Sequence, residues 1–188
     1  MFLKLLIKGA YSIKKAMINY IQKEKFDDLY TPYEAIEPLL KHIEDKISKD
    51  KIIWEPCDVG QSKITEVFKK QGYKVLSSDI KTGFDFLQDN RNDFDVIITN
   101  PPYSLKNEFL TKCYEYKKPF LLLLPLTALE GVHRNKLYRK YGISIILLDR
   151  RINFMKDKKS NWFNTSWFTW GIFENNSLIF EKINKGIS

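Results

Sequence analysis

The chain has few cysteines and histidines for its length. Its 188 residues include two of each, Cys57, Cys113, His42 and His133. Two distant cysteines cannot form the disulfide framework that stabilises small secreted proteins, and reduced thiols in the cytoplasm fit this composition better. The cysteines and histidines lack the spacing of a zinc site. We therefore expect a cytoplasmic protein without a metal centre.

A long uninterrupted hydrophobic run is also missing. The N-terminal segment MFLKLLIKGAYSIKKAMINYIQKEK places lysines inside every short apolar stretch. Such a segment is neither a signal-peptide core nor a membrane-spanning helix. Residues 1–27 instead show a helical apolar stripe that includes Leu5, Ile13 and Tyr20. We interpret them as a basic amphipathic helix, which either contacts nucleic acid or a partner or packs its stripe on the rest of the chain.

Acidic residues are outnumbered by basic ones. The chain carries 23 Asp and Glu against 31 Lys and Arg, which gives a formal net charge of +8. A basic balance favours a polyanionic partner, with nucleic acid ahead of a membrane surface. The plain alternative is a basic protein without such a partner. The 44% of hydrophobic residues is enough for one domain with a substantial core.

Short apolar strands alternate with helical patterns after residue 28. The β-rich runs are KIIWEPC, KVLSSDI, FDVIITN, PFLLLLP and ISIILLD, and TSWFTWGIF and SLIF are later strands that could pair antiparallel. Continuously apolar strands between helices predict an α/β fold, with a mostly parallel sheet covered by helices on both faces. No linker marks a second domain, so we assign residues 28–188 to one domain.

The first two predicted strands end in acids, at the edge where open parallel sheets bind ligands. The first runs into EPCDVGQS with Glu55 and Asp58, and the second ends at Asp79. An acid in the second position can accept both ribose hydroxyls of an adenosine-type ligand. Dinucleotide enzymes have a Gly-rich phosphate turn in the first loop, whereas this loop has one glycine, Gly60, and its acids repel phosphate. We therefore expect a ligand with cationic groups, such as S-adenosylmethionine.

The third predicted strand stops at Asn100-Pro101-Pro102-Tyr103, because proline cannot donate to a strand ladder. The Asn100 side-chain oxygen and the Pro101 carbonyl can accept both hydrogens of an exocyclic amine, which points the nitrogen lone pair at an incoming methyl group. The prolines hold these acceptors rigidly, and Tyr103 can stack on the ring. A base presented in this way must leave the duplex stack or come from a single strand. The plain alternative is a proline-stiffened loop.

Over roughly residues 28–173 these motifs resemble the class I S-adenosylmethionine-dependent N6-adenine methyltransferases, in particular the small phage- and prophage-type DNA or tRNA enzymes. The resemblance implies a Rossmann-like, seven-stranded-type sheet and S-adenosylmethionine as the cofactor. At one position the chain departs from the family, because Val59 stands where glycine is usual and Gly60 follows it. By resemblance the catalytic residues are Asn100, Pro101, Pro102 and Tyr103, and the cofactor-binding residues are Thr31, Glu55, Pro56, Asp58, Gly60, Asp79, Ile80, Asp85 and Phe86.

The resemblance also suggests residues that bind the substrate. NWFNTSWF resembles the late loop whose aromatic side chain stacks on the flipped base, with Phe163 as the first candidate and Trp162 as the second. Basic residues crowd positions 133–159, and we expect Arg134, Arg150 and Arg151 to contact phosphates there. A solvated basic face is the alternative for these residues, and helix capping is the alternative for Thr31.

The expected reaction is methyl transfer to the N6 amine of adenine in DNA. No stretch is long enough for a separate target-recognition domain, so we expect weak sequence specificity. Adenine-N6 methylation of RNA is the alternative reaction, and a non-catalytic nucleic-acid- or partner-binding protein is the alternative of another class. We expect a monomer or a homodimer that binds DNA rather than RNA, without a metal and without a membrane partner.

Overall fold

The computed structural model of the chain describes residues 31–154 and 164–184. The amphipathic helix predicted for residues 1–27 lies outside these ranges. Within them, none of the helices combines the length and the apolar character needed to cross a bilayer.

The described residues form a seven-stranded sheet with four α-helices. Three short 3-10 turns, at Ile80–Thr82, Tyr103–Leu105 and Leu126–Leu129, lie in loops that follow β2, β3 and β4. The strands β1 to β7 span Ile52–Glu55, Lys74–Ser77, Val96–Thr99, Phe120–Pro125, Ser144–Leu148, Thr165–Trp170 and Leu178–Glu181, and the helices α1 to α4 span Tyr33–Ile43, Lys63–Lys70, Lys106–Tyr116 and Val132–Tyr141.

The strand order in the sheet is β2-β1-β3-β4-β6-β5-β7. All strands run in one direction except β6, which is antiparallel to both of its neighbours, β4 and β5. The predicted mostly parallel sheet is therefore confirmed. The suggestion that the two late strands, β6 and β7, pair with each other is wrong. Strand β5 lies between them and pairs parallel with β7.

Helices cover both faces of the sheet, as the sequence predicts. Strand β4 shows the reason, because all six of its residues are buried. Its Leu121 and Leu123 belong to the core under α1 and α2, whereas Phe120, Leu122 and Leu124 belong to the core under α3 and α4. Neighbouring residues of a strand point to opposite faces, so a strand that is apolar throughout needs cover on both sides.

Helix α1 begins one residue later than a cap at Thr31 would require. Its N-cap is Pro32, which has extended backbone angles of φ −76° and ψ 157°. Thr31 therefore lies one residue outside the helix, where it is buried, and the capping role considered for it is wrong.

Candidate functional site

The loops that follow β1, β2 and β3 lie together because these strands are neighbours and parallel. The backbone N–H of Ser78 donates to the carbonyl of Glu55 over 3.1 Å, and the N–H of Asp58 donates to the carbonyl of Ser78 over 2.9 Å. These two bonds continue the ladder between β1 and β2 beyond the strands. They bring the first loop next to Asp79, which follows Ser78 directly.

Asp58 shapes the first loop with its own carboxylate. Its Oδ1 accepts hydrogen bonds from the backbone N–H groups of Gly60, Gln61 and Ser62, over 2.7, 2.8 and 2.8 Å. Gly60 has φ +94°, a conformation that suits glycine. The amides that would cradle a phosphate at the start of α2 are thus already used inside the protein. The loop does not fit a nucleotide pyrophosphate, which agrees with the prediction from its acids.

Burial raises the pKa of the Asp58 carboxyl, but the nearby hydroxyls of Thr65 and Ser77 and the loop amides lower the pKa more. The net pKa is below its usual value. Asp58 is therefore the charged acid of the first loop at neutral pH.

Glu55 is the second acid of this loop, and its environment is different. It is 1% exposed. Its Oε1 accepts a hydrogen bond from the Thr99 hydroxyl, and another from the Cys57 N–H over 3.1 Å. Burial raises the pKa of Glu55 to about 8, despite these hydrogen bonds. A large part of Glu55 is therefore neutral at pH 7, so only Asp58 contributes a full charge here.

The hydrogen bond from Thr99 joins the first loop to the predicted catalytic segment, because Thr99 immediately precedes Asn100. Pro101 and Pro102 are both buried behind it. The N–H of Leu105 donates to the Pro102 carbonyl over 2.9 Å. The segment thus turns directly into the 3-10 turn Tyr103–Leu105, which leads into α3. Asn100 and Tyr103 are both partly buried at this strand end.

Asp79 lies two residues beyond β2 and is 7% exposed. Its Oδ1 accepts a hydrogen bond from the N–H of Lys81 over 2.8 Å, and the Thr82 hydroxyl donates to its carbonyl over 2.8 Å. These bonds cap the 3-10 turn that contains the half-buried Ile80. The structure therefore brings Asp79 beside Glu55 and Asp58 at one edge of the sheet.

Asp85 and Phe86 have structural contacts of their own. Asp85 Oδ1 accepts a hydrogen bond from the N–H of Leu87 over 2.9 Å. The Phe86 ring is 3% exposed and stacks on Phe109, with ring centroids 4.6 Å apart. It also packs against Trp54 at 5.2 Å. Phe86 is therefore a core residue, and this placement does not support the predicted contact of its ring with the cofactor.

Arg134 is also directed into the protein. It is 9% exposed, and its Nε donates to the carbonyl of Ala128 over 2.7 Å. Its Nη1 donates to Asn107 Oδ1 over 2.5 Å, and its Nη2 donates to the carbonyls of Thr127 and Glu130. All three guanidinium nitrogens thus serve internal acceptors. The expected phosphate contact from Arg134 is not supported by this placement.

The other predicted substrate contacts divide into two groups. Arg150 and Arg151 follow β5, whose carboxyl end lies at the same sheet edge as those of β1 and β3. Arg150 pairs with Asp149 over 3.2 Å, and the exposed Arg151 donates to Asn164 Oδ1 over 3.3 Å. Both remain candidates for phosphate contacts. Trp162 and Phe163 lie outside the described residues.

Sequence reasoning did not identify Thr99 and Ser78 as parts of the site. Thr99 is fully buried and holds Glu55, and Ser78 carries both backbone bonds to the first loop. A polar residue at the last position of a continuously apolar strand was the available signal for Thr99. Among the residues of 31–154 and 164–184, no group of three or more Cys, His, Asp or Glu side chains could hold a metal ion.

Known proteins resemble the chain in part of its sequence and in its fold. No protein-family profile matches the chain. The Escherichia coli type II methyltransferase M.EcoRI is 24% identical over 156 residues, an alignment that covers 57% of this chain and 48% of the relative. The chain thus spans about half the length of this curated relative.

Among solved structures, a Vibrio vulnificus YJ016 protein assigned as the modification subunit of a type I restriction enzyme has a TM-score of 0.52. The two are 13% identical, and the superposition covers 97% of this chain and 53% of that protein. A Pyrococcus horikoshii protein assigned as an RNA methyltransferase is 16% identical, with a TM-score of 0.47 over 75% of this chain and 85% of that protein. The chain thus has the Rossmann-like α/β fold found in class I methyltransferases.

Proposed function

We propose that the protein transfers a methyl group from S-adenosylmethionine to the N6 amine of adenine in DNA, with weak sequence specificity. The observation that carries this proposal is the position of Asn100-Pro101-Pro102-Tyr103 at the end of β3. There the segment is joined to the first loop through the hydrogen bond from Thr99 to Glu55. The proposed cofactor loop and the proposed amine-binding segment thus lie at one sheet edge.

The residues of this edge suit S-adenosylmethionine. In this proposal Asp79 holds the ribose hydroxyls, and the negative field of Asp58 favours a cationic ligand. Asp58 also uses the amides that a phosphate would need. When bound, S-adenosylmethionine supplies a methyl group on a sulfonium, whose carbon–sulfur bond breaks as the new nitrogen–carbon bond forms.

The chain's own residues prepare the adenine amine for this transfer. The Asn100 side-chain oxygen and the Pro101 carbonyl accept its two hydrogens, which favours a pyramidal nitrogen with an available lone pair. The positive charge that develops on nitrogen is stabilised by the same two oxygens. Tyr103 stacks on the base, and one proton leaves the nitrogen for solvent after the transfer. The buried prolines keep these groups in place without reorganisation.

Nucleic acid is favoured as the methyl acceptor by the net charge of +8 and by the similarity to M.EcoRI, a type II methyltransferase. RNA with the same adenine amine is the second candidate, since this chemistry does not depend on the sugar. DNA is preferred because the similar proteins include the assigned modification subunit of a restriction enzyme.

The decisive experiment incubates the protein with tritiated S-adenosylmethionine and unmethylated duplex DNA, single-stranded DNA or tRNA. We expect label in duplex DNA, recovered as N6-methyladenine. Asn100→Ala should lower its rate by about 100-fold or more, as loss of a transition-state hydrogen bond does. The matched control is Asn92→Ala, an exposed asparagine before β3, at the opposite edge of the sheet.

Other results would each contradict a specific part of the proposal. Label in tRNA alone would select the RNA reaction. Label that is unaffected by Asn100→Ala would contradict the catalytic assignment. A calorimetric titration that shows no binding of S-adenosylmethionine, together with no label in any substrate, would favour the non-catalytic binding protein.

A further inference from the structure

The loop between β4 and α4 exposes two apolar side chains where it enters the helix. Leu129 is 43% exposed and Val132 is 77% exposed. Single exposed apolar residues are common, but two of them close together at a ligand-binding sheet edge indicate a contact surface. This loop follows the strand next to β3, which carries the proposed catalytic segment.

Buried side chains of α4 hold the backbone of this loop in place. Ala128 accepts hydrogen bonds from Arg134 Nε over 2.7 Å and from the Tyr138 hydroxyl over 3.0 Å. Gly131 has φ +106°, and a Cβ at this position would lie 2.7 Å from Arg134 Nη2. The backbone is therefore tightly packed on the buried guanidinium, and the apolar side chains project from a rigid support.

The same surface continues along α4 as a row of cations. Lys136, Arg139 and Lys140 follow Val132 at spacings of four, three and one residues, so all four lie on one stripe of the helix. The three cations are exposed and, within the described residues, none of them forms an ion pair. About one helical turn, roughly 5.4 Å, separates Val132 from Lys136, and another separates Lys136 from the adjacent pair Arg139 and Lys140. We call Leu129, Val132, Lys136, Arg139 and Lys140 the α4 ridge.

The α4 ridge is attached to the helix that begins behind the catalytic segment. Arg134 Nη1 donates to Asn107 Oδ1 in the first turn of α3, over 2.5 Å. His133 Nε2 lies 2.9 Å from the Thr111 hydroxyl of α3. Asn107 is four residues beyond Tyr103. These two contacts fix the start of α4, and with it the apolar end of the ridge, relative to the proposed catalytic residues.

We propose that the α4 ridge binds DNA beside the methyl-accepting adenine, a role that rests on the proposed function. Leu129 and Val132 contact bases or sugars of the nucleotides next to the target, and Lys136, Arg139 and Lys140 contact successive phosphates. Apolar side chains that press on bases and cations that hold the backbone are complementary parts of such an interface. Segment 126–141 contains one acid, Glu130, so its charge suits a polyanion.

The cationic part is tested with the full chain and a fluorescent DNA duplex, by anisotropy over a series of salt concentrations. The variant Lys136→Ala/Lys140→Ala should bind at least 10-fold more weakly, and the slope of log K against log salt should fall by about 0.9 for each phosphate that is no longer neutralised. The control Lys69→Ala/Lys74→Ala removes the same charge from exposed positions on α2 and β2. Equal affinities and slopes for the two double variants would overturn the proposal.

The apolar end of the α4 ridge should affect DNA binding in a different way from the cations. Val132→Ser should weaken duplex binding several-fold and leave the salt slope unchanged, since every phosphate keeps its cation. Leu178→Ser is its control, an exposed apolar residue on β7, 55% exposed. If Val132→Ser binds like Leu178→Ser, the apolar contact is overturned.

These experiments can contradict the proposed role of the α4 ridge and the proposed reaction separately. Ridge variants that bind weakly in a protein that transfers no methyl group would support the surface and contradict the reaction. Methyl transfer that depends on Asn100, together with ridge variants that bind like their controls, would support the reaction and overturn the ridge. Protein that binds no duplex at all overturns the ridge as well.

Discussion

Glu55 shows at the scale of one residue how a buried carboxyl links two loops. The sequence predicts it as a charged acid of the cofactor loop. In the structure it is buried against Thr99 and Cys57, and burial raises its pKa to about 8. Its contribution near neutral pH is therefore largely that of a neutral hydrogen-bonding group between the first loop and the residue before Asn100.

This raised pKa makes the free energy of unfolding depend on pH. Between pH 4.5 and 8 the folded protein holds a proton on Glu55 that the unfolded chain has released, so stability falls as pH rises through this range. The glutamine of Glu55→Gln cannot titrate, so the free energy of unfolding of this variant should change less over the same pH range. The change should be smaller than in the unmodified protein by on the order of a few kcal/mol. Urea unfolding at pH 5, 6.5 and 8 measures the difference. Parallel pH profiles for the two proteins would contradict the prediction.

Two glycines with positive φ differ in what surrounds them. Gly83, with φ +91°, faces open space, so Gly83→Ala should cost only about 1–2 kcal/mol of conformational strain. Gly131→Ala adds a close contact with Arg134 Nη2 to similar strain, and we expect a loss on the order of 3 kcal/mol. Urea unfolding of both variants is the measurement. An equal loss in the two would show that Arg134 does not confine the loop.

At the scale of elements, Arg134 connects the turn after β4 with α3 and α4. The basic residues of segment 133–159 look alike in the sequence, and a phosphate contact from Arg134 was a reasonable expectation. Packing separates them, because helical periodicity turns Arg134 inward and turns Lys136 and Lys140 outward. The side of the helix that meets the domain is determined by the contacts of α4 with α3 and the sheet.

Replacing Arg134 should therefore lower the stability of the fold more than replacing an exposed cation of α4. Arg134→Met leaves the buried carbonyl of Ala128 and the partly buried carbonyls of Thr127 and Glu130 with fewer donors, and we expect a loss of roughly 3 kcal/mol in the free energy of unfolding. Arg139→Met removes the same charge from the exposed side of α4 and should change stability by about 0.5 kcal/mol or less. Hydrogen exchange of residues 127–131 should become faster only in Arg134→Met. Unchanged exchange in that variant would contradict the structural role.

At the scale of the whole molecule, one interior strand of the sheet comes from near the C-terminal end of the sequence. Strand β6 lies between β4 and β5, and its Trp167 and Phe168 are fully buried on opposite faces. A chain ended after Arg150 lacks this central strand and should show no cooperative unfolding transition. A chain ended after Trp170 lacks the edge strand β7 and should still unfold cooperatively at lower stability. Near-ultraviolet circular dichroism during urea unfolding distinguishes them, and a cooperative transition in the shorter chain would contradict the prediction.

The sequence by itself determined the α/β class, the mostly parallel sheet and the presence of Glu55, Asp79 and Asn100 at or just beyond the ends of the first three strands. Hydrophobic period and proline chemistry are local, so they can be recognised without tertiary contacts. Only the tertiary structure decided the position of β6, the inward direction of Phe86 and Arg134 and the raised pKa of Glu55. Each of these depends on residues far apart in the chain, because strand order, side-chain burial and desolvation arise only when separate elements pack together.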